Sequence, residues 1–451
     1  MKKRTCLPIA LNTLVLLSSF LIITSGCREK TMTWEERLHS LPATGMTRVE
    51  TDTFFTETWE VMLTQPVDHN NPGGKTFDQQ IFVSYIDPMA PVVVITEGYN
   101  GSFYRSELAS ILKCNQIIIE HRYFEDSRPD TIDWQYLTGW QAATDHHRII
   151  ELFKPVFRGK WISTGISKGG ETVMYHSYYY PKDVDVRVPY VGPLAYAPED
   201  PRIYEFLDNV GTQECRDRIY AFQKMILERR DTFFPMMLDL SARMGWTFQR
   251  VGGAEAAFEM AVLEYDFAFW QWGRTPCENI PLESTDEEIF RHFARIGDFS
   301  YFSDQGIEPI EPFFYQAMTE QGYYGYRFDR FEGLLNHVSD SEHPDFLFSA
   351  PQGIEMTFNP DHNKRVYDYL YNKGNNFIYI YGADDTWTAT GVEMSGSPTN
   401  SLVIKKEGGD HTTRIMNLEE SDREVVLTKL SEWLSISIDT LRSNVSSIRR
   451  R

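Results

Sequence analysis

The chain has 451 residues, of which 42% are hydrophobic and 14% aromatic, and its formal net charge is −20. That much apolar material builds a large packed core and excludes a disordered chain. The acidic balance argues against nucleic acid, whose phosphates need clustered Lys and Arg.

The first residues, Met1-Lys2-Lys3-Arg4, are basic. An apolar run follows from about Leu7 to Ile23, and then "TSGC" ending at Cys27. This order reads as a bacterial export signal over residues 1–27. Small residues before a cysteine resemble a lipobox, which makes Cys27 a lipidation candidate; Thr24 stands where Leu is usual, so plain secretion or an uncleaved anchor are the alternatives. No other stretch is apolar for the ~20 residues a membrane span needs. Residues 28–50 read as a tether.

From residue 51 the chain alternates strand and helix patterns. "FDQQIFVSYI" (77–86), the β-branched "APVVVITEGYN" (90–100) and "QIIIEHRYF" (116–124) read as strands. "LTGWQAATDHHRIIELF" (137–153) is an amphipathic helix, "KWISTG" (160–165) a strand, "GGETVMYHSYYY" (169–180) a helix ended by Pro181, and "VDVRVPYVGP" (184–193) a strand. Such alternation predicts a mostly parallel sheet covered on both faces, an α/β class. Residues 203–345 carry helix-length patterns and little strand, as in "AEAAFEMAVLEYDFAFWQWG". They read as a helical cap inserted between two parts of one domain, 51–202 and 346–440. Strand texture returns in "NNFIYIYGADD" (375–385) and "SLVIKKEGGDH" (401–411), before a helix over 418–434 and a polar tail at 441–451.

Five cysteines occur, and Cys6 and Cys27 fall in the signal. An exported chain can pair two of the others. Cys215 and Cys277 lie in one region and are the expected pair, while Cys114, before an apolar strand, is expected to be a buried thiol. Neither C-x-x-C nor H-E-x-x-H is present, so a structural zinc or zincin site has no support; the serine chemistry centred on Ser167 implies no metal or organic cofactor.

The chemistry centres on Gly165-Ile166-Ser167-Lys168-Gly169-Gly170. Alone, G-x-S-x-G is a weak signal, since Gly and Ser are common turn residues. Here a strand precedes it and a helix follows it, which is the setting of a nucleophile elbow. A serine hydroxyl needs a base, and the α/β-hydrolase order is Ser, acid, His. The strand "FIYIYG" ends at Gly382 and is followed by Ala383-Asp384-Asp385; an orienting carboxylate belongs just past such a strand end. Of 11 histidines only His411 lies downstream, in the tight loop "EGGDHTTR". The expected triad is Ser167, Asp385 and His411; Asp384 competes, and the spacing from Gly382 favours Asp385. The oxyanion donors are expected to be the backbone N–H groups of Lys168 and of Tyr99 or Gly98, in the loop "ITEGYN". On this reading the Lys168 side chain is incidental. Glu97 in the same loop either binds a substrate ammonium or pairs locally, for example with Arg122.

These blocks, "QPVDHNNPGGKTFDQQIFV", "VVVITEGYN", "IIIEHRYFEDSRP", "GISKGGETVMYHSYYYPKDVD" and "YGADDTW", together resemble the secreted bacterial prolyl tri-/tetrapeptidyl aminopeptidases. More distantly, they are similar to the lysosomal Pro-Xaa carboxypeptidase and dipeptidyl peptidase II group. The resemblance spans roughly residues 55 to 430. It implies an α/β-hydrolase fold with a helical cap and a serine exopeptidase acting on short peptides. It carries Ser167, Asp385 and His411 over as nucleophile, acid and base, with Glu97 and Glu320 as candidates for the peptide amino terminus. Ala317-Met318 stand where the lysosomal group has Cys, and Phe124-Glu125 where it has an aromatic residue and Gly. Trp270, Trp272, Phe313 and Tyr323 either stack on a proline ring or fill the cap core. A capped esterase or lipase on the same fold is the rival enzyme, because a triad alone does not separate the two. A peptide- or glycan-binding lipoprotein without catalysis is the rival of another class.

Overall fold

The computed structural model describes residues 32–438 apart from 52, 274 and 340–343. The expected signal over residues 1–27, with Cys6 and Cys27, and the polar tail at 441–451 therefore lie outside the described residues. Where a tether is expected at 28–50, the chain instead folds. A capping box of Thr33 and Glu36 starts helix α1 (Trp34–Ser40), and β1 (Ala43–Val49) pairs with β2 (Glu57–Pro66). The reason is Trp34, whose ring is buried against Tyr85, Phe153 and Phe157. Burying a side chain of that size is worth on the order of 2–3 kcal/mol, to which buried Leu38 and the β1–β2 ladder add.

β2 continues antiparallel to β3 (Thr76–Tyr85). Then come β4 (Val92–Thr96), α2 (Glu107–Leu112), β5 (Asn115–Ile119), α3 (Gly139–Phe153), β6 (Trp161–Ile166), α4 (Lys168–Tyr179) and β7 (Val186–Tyr190). The strand expected over 116–124 stops at Ile119. Beyond it Tyr123 and Glu125 take positive φ, and Glu120 accepts the N–H groups of Ser127 and Gly101 at 2.7 and 2.6 Å, which turns the chain out of the sheet. Between β7 and β8 (Ile378–Gly382) the described residues hold helices and loops without a strand: α5 (Pro201–Asn209), α6 (Gln213–Glu228), α7 (Arg230–Met244), α8 (Ala254–Trp272), α9 (Asp286–Ile296), α10 (Asp304–Gln316) and α11 (His362–Lys373). The chain closes with β9 (Leu402–Lys406) and α12 (Glu420–Leu434).

The sheet has nine strands in the order β1-β2-β3-β5-β4-β6-β7-β8-β9, parallel from β5 onward. Its inner strands β4, β5, β7 and β8 are buried at every position, as near-continuous apolar runs in a doubly covered parallel sheet should be. Val93, Ile95 and Ile118 pack under α2 and α12 on one face; Val92, Val94 and Ile117 pack under α1 and α3 on the other. This is the α/β-hydrolase sheet. From β4 the chain turns to β5 on one side and returns to β6 on the other, so the loops after β4 and β6 flank a switch point, where such sheets place their ligands.

The helices between β7 and β8 have a core of their own, built around Phe222, Phe258, Tyr265 and Phe293, which reaches the sheet domain through Phe124 and Trp387. Within it Glu264 accepts the hydroxyls of Tyr324 and Tyr326 at 2.9 and 2.8 Å, and burial pushes its carboxyl up to about 8. A disulfide joins Cys215 at the start of α6 to Cys277, just past α8. Cys114 is buried and unpaired, its thiol pushed up to about 12 by burial. No described helix is long and apolar enough to cross a membrane.

Candidate active site

β6 ends at Ile166 and α4 begins at Lys168, leaving Ser167 alone in the turn with φ 56° and ψ −124°. An L-residue adopts such a backbone at a cost on the order of 1–3 kcal/mol, which the surroundings must hold. They do so by close packing. A Cβ on Gly165 would fall 2.3 Å from the Gly169 carbonyl oxygen, and one on Gly169 would fall 2.5 Å from that of Thr96. Only glycine fits at either place, and together they let the elbow lie against β4. The Ser167 N–H donates to the Tyr190 carbonyl at 2.9 Å, which fixes the turn to β7.

Asp385 follows β8 and caps a short helical turn, accepting the Trp387 N–H at 3.1 Å. Its other oxygen lies 2.7 Å from His411 Nδ1, and both side chains are buried. Burial raises the Asp385 carboxyl, and the His411 ring beside it opposes that rise. Asp384 makes no such contact: its N–H donates to Gly409, and its half-buried carboxyl is raised by burial. Geometry thus separates the two acids. The His411 loop is held from both domains. Gly382 packs so closely that a Cβ there would meet the Gly409 and Asp410 carbonyls at 2.4 Å, and the His411 N–H donates to Gln271 in the last turn of α8 at 2.8 Å. Trp272 sets its ring edge-to-face on the imidazole at 5.6 Å.

Beside Ser167 opens a narrow cleft. Tyr99, Phe313, Tyr323 and Trp387 form an aromatic wall; Glu171 and Gln321 supply polar groups. Of the four aromatic residues singled out in the cap, Phe313 and Tyr323 line this cleft. Trp270 is buried in the cap core, and Trp272 lies over His411.

The expected carboxylates are placed differently. Glu97 is half-buried and accepts the Tyr104 hydroxyl at 2.8 Å. It does not pair with Arg122, whose guanidinium binds Asp145 at 2.7 and 2.8 Å. Glu320 sits on a π-helical turn, Ala317–Gln321, where it accepts the Gly139 N–H; burial raises its carboxyl. Neither Glu97 nor Glu320 is among the residues lining the cleft. Glu171 lines it instead. Burial pushes Glu171 up to about 8, although Tyr175 donates to it at 2.7 Å and Lys168 lies near. Sequence reading missed Glu171 and Gln321. The signal for Glu171 was its spacing of four from Ser167, one turn along the elbow helix. Gln321 merely neighbours Glu320, and both atoms of its buried side-chain amide lack a protein partner among the described residues.

Lys168 corrects an expectation. Its side chain is buried, and its Nζ donates to the Gly98 carbonyl at 2.7 Å. A Cβ on Gly98 would fall 2.7 Å from Lys168 Cβ, so the loop after β4 lies directly on the elbow helix. The Tyr99 N–H has no protein acceptor among the described residues. The Lys168 N–H, first in its helix, has none to expect within the helix.

A family model for PS-10 peptidase S37 matches residues 27–451. The chain is similar to a prolyl tri/tetrapeptidyl aminopeptidase from Streptomyces mobaraensis, 31% identical over 411 residues, 89% of this chain and 85% of that one. Among solved structures it is similar to a proline iminopeptidase from Mycobacterium smegmatis, at TM-score 0.38 and 14% identity over 83% of this chain and 99% of that chain. Another is VinJ, at TM-score 0.37 and 12% identity over 88% of this chain and 100% of that chain.

Proposed function

This chain belongs to the peptidase S37 family and is a serine peptidase; from that premise we propose that it releases short peptides from free amino termini, with a preference for proline before the scissile bond. In this mechanism His411 takes the Ser167 proton as the hydroxyl attacks the peptide carbonyl. The Lys168 and Tyr99 N–H groups receive the oxyanion, and Asp385 holds the imidazole in the tautomer that can accept at Nε2. The leaving amine takes that proton, and water then releases the acyl group from Ser167. The aromatic wall of Tyr99, Phe313, Tyr323 and Trp387 suits a proline ring, and the relative's name supports that preference.

The observation that carries the aminopeptidase reading is Glu171: a buried carboxyl in the same cleft as Ser167, pushed up to about 8 by burial, so that a cation arriving beside it would favour its charged form. A substrate α-ammonium is such a cation. Glu320 and Glu97, both outside the cleft, stand as lesser candidates. N-acetylation of a proline-containing peptide anilide should lower kcat/KM roughly 10–100-fold, the worth of one buried charge-assisted hydrogen bond. Glu171→Gln should remove that difference. Equal hydrolysis of free and acetylated substrates would sink the reading and favour an endopeptidase or esterase.

The basic and apolar amino terminus and "TSGC" support export with a lipid on Cys27. Labelled palmitate should enter the wild type and not Cys27→Ala; equal labelling of both would reject the anchor.

A further inference from the structure

Lysine usually keeps its ammonium in water and buries only its stem. Lys168 does not. It is 2% exposed, and burial lowers its ammonium to about 7 against the opposing charges of Glu171 and Glu320. What surrounds its Nζ is one carbonyl, Gly98 at 2.7 Å, and two ring faces, Tyr99 at 5.7 Å and Phe124 at 5.2 Å. A buried cation with so specific a partner is a placed group.

The partner matters because of peptide geometry. The Gly98 C=O and the Tyr99 N–H belong to one planar unit, trans like the other described peptides, so they point in opposite directions. Whatever fixes the carbonyl also fixes the N–H. The next carbonyl along, that of Tyr99, is held separately by the His121 N–H at 3.1 Å, and the Gly101 N–H by Glu120 at 2.6 Å. Only the Gly98–Tyr99 unit depends on Lys168. Gly98 has no side chain to resist rotation of that unit, and none fits, since a Cβ would collide with Lys168 and Gly169. Turned over, the unit would aim a carbonyl oxygen where the mechanism needs a donor.

We propose that the Lys168 side chain is a positioning group for the oxyanion site: by holding the Gly98 carbonyl it aims the Tyr99 N–H at the oxygen that becomes negative when Ser167 attacks. One residue then sets both donors, the first with its own backbone N–H and the second through its ammonium. The inference rests on the acyl-transfer reading of Ser167.

The test compares Lys168→Met, which keeps the stem and removes the donor, with Lys168→Arg, which restores one. For each, kcat and KM are measured on a peptide anilide, together with the affinity for a peptide aldehyde that forms a tetrahedral adduct on Ser167. The Met variant should lose about 10²-fold in kcat, the effect of removing one oxyanion donor, with KM changed less than about threefold. Aldehyde affinity should fall in parallel with kcat/KM, and Arg should recover part of both. A structural role predicts otherwise: KM and melting temperature would move with kcat. The proposal is overturned if the folded Met variant keeps kcat within twofold, or if KM carries the whole loss. Should the Met variant not fold, Lys168→Leu, which also lacks a donor, carries the same comparison. Failure of the acyl-transfer reading is distinguishable, because the wild type would then take up no aldehyde at Ser167.

Discussion

Ser167→Ala should lower kcat/KM by roughly 10⁴–10⁶, leaving only what binding and the oxyanion donors supply. The size follows from the geometry. The oxygen removed is the one the elbow presents at the sheet's switch point, on a residue held at φ 56°. The hydroxyl is half-buried and contributes little to the core, so the variant should melt with the wild type. A fluorophosphonate probe should label wild type and leave Ser167→Ala unmodified. Labelling of both, or of neither, would remove Ser167 from the mechanism.

Asp385→Asn should cost about 10⁴-fold in kcat with substrate binding retained. The carboxylate accepts from His411 Nδ1 at 2.7 Å and from the Trp387 N–H at 3.1 Å. An amide in its place can turn its NH2 toward Nδ1, which stabilises the tautomer that cannot act as base at Nε2. Asp385 is buried, so no water replaces the lost acceptor. Asp384→Asn, one residue away, should stay within about threefold of wild type, because its side chain does not reach His411. The pair is measured by kcat on one substrate under saturation; the reverse pattern would mean that the acids have been assigned the wrong way round.

The fold was largely legible from periodicity. Buried runs such as "VVVIT" and "QIII" have no polar face to give water, so they sit inside a sheet covered on both sides. The positions of Ser167, Asp385 and His411 were legible because a turn after a strand is marked in sequence, by Gly165 and Gly169 around the first, Gly382 before the second and Gly408-Gly409 before the third. Legibility failed where burial was decided by distant residues. Residues 34–49 looked like a tether until Trp34 met Tyr85 and Phe153. The strand after Cys114 seemed to run to Phe124, yet Glu120 turns the chain by binding N–H groups from two other loops. Glu97 stood in the more suggestive motif, but Glu171 is the carboxyl that the cap and sheet close around.

What the sequence determined by itself is the alternation of strand and helix in the sheet domain, the long helical stretch between its two parts, and the placing of Ser167, Asp385 and His411 after strands. These depend on local period and turn residues, which are written in consecutive positions. What only the tertiary structure decided is which charges are buried and what they face. Glu171 rather than Glu97 lines the cleft, and Lys168 turns inward to the Gly98 carbonyl. The physical reason is that electrostatic roles are set by desolvation and by partners remote in the chain, and neither is carried by a residue's neighbours in sequence.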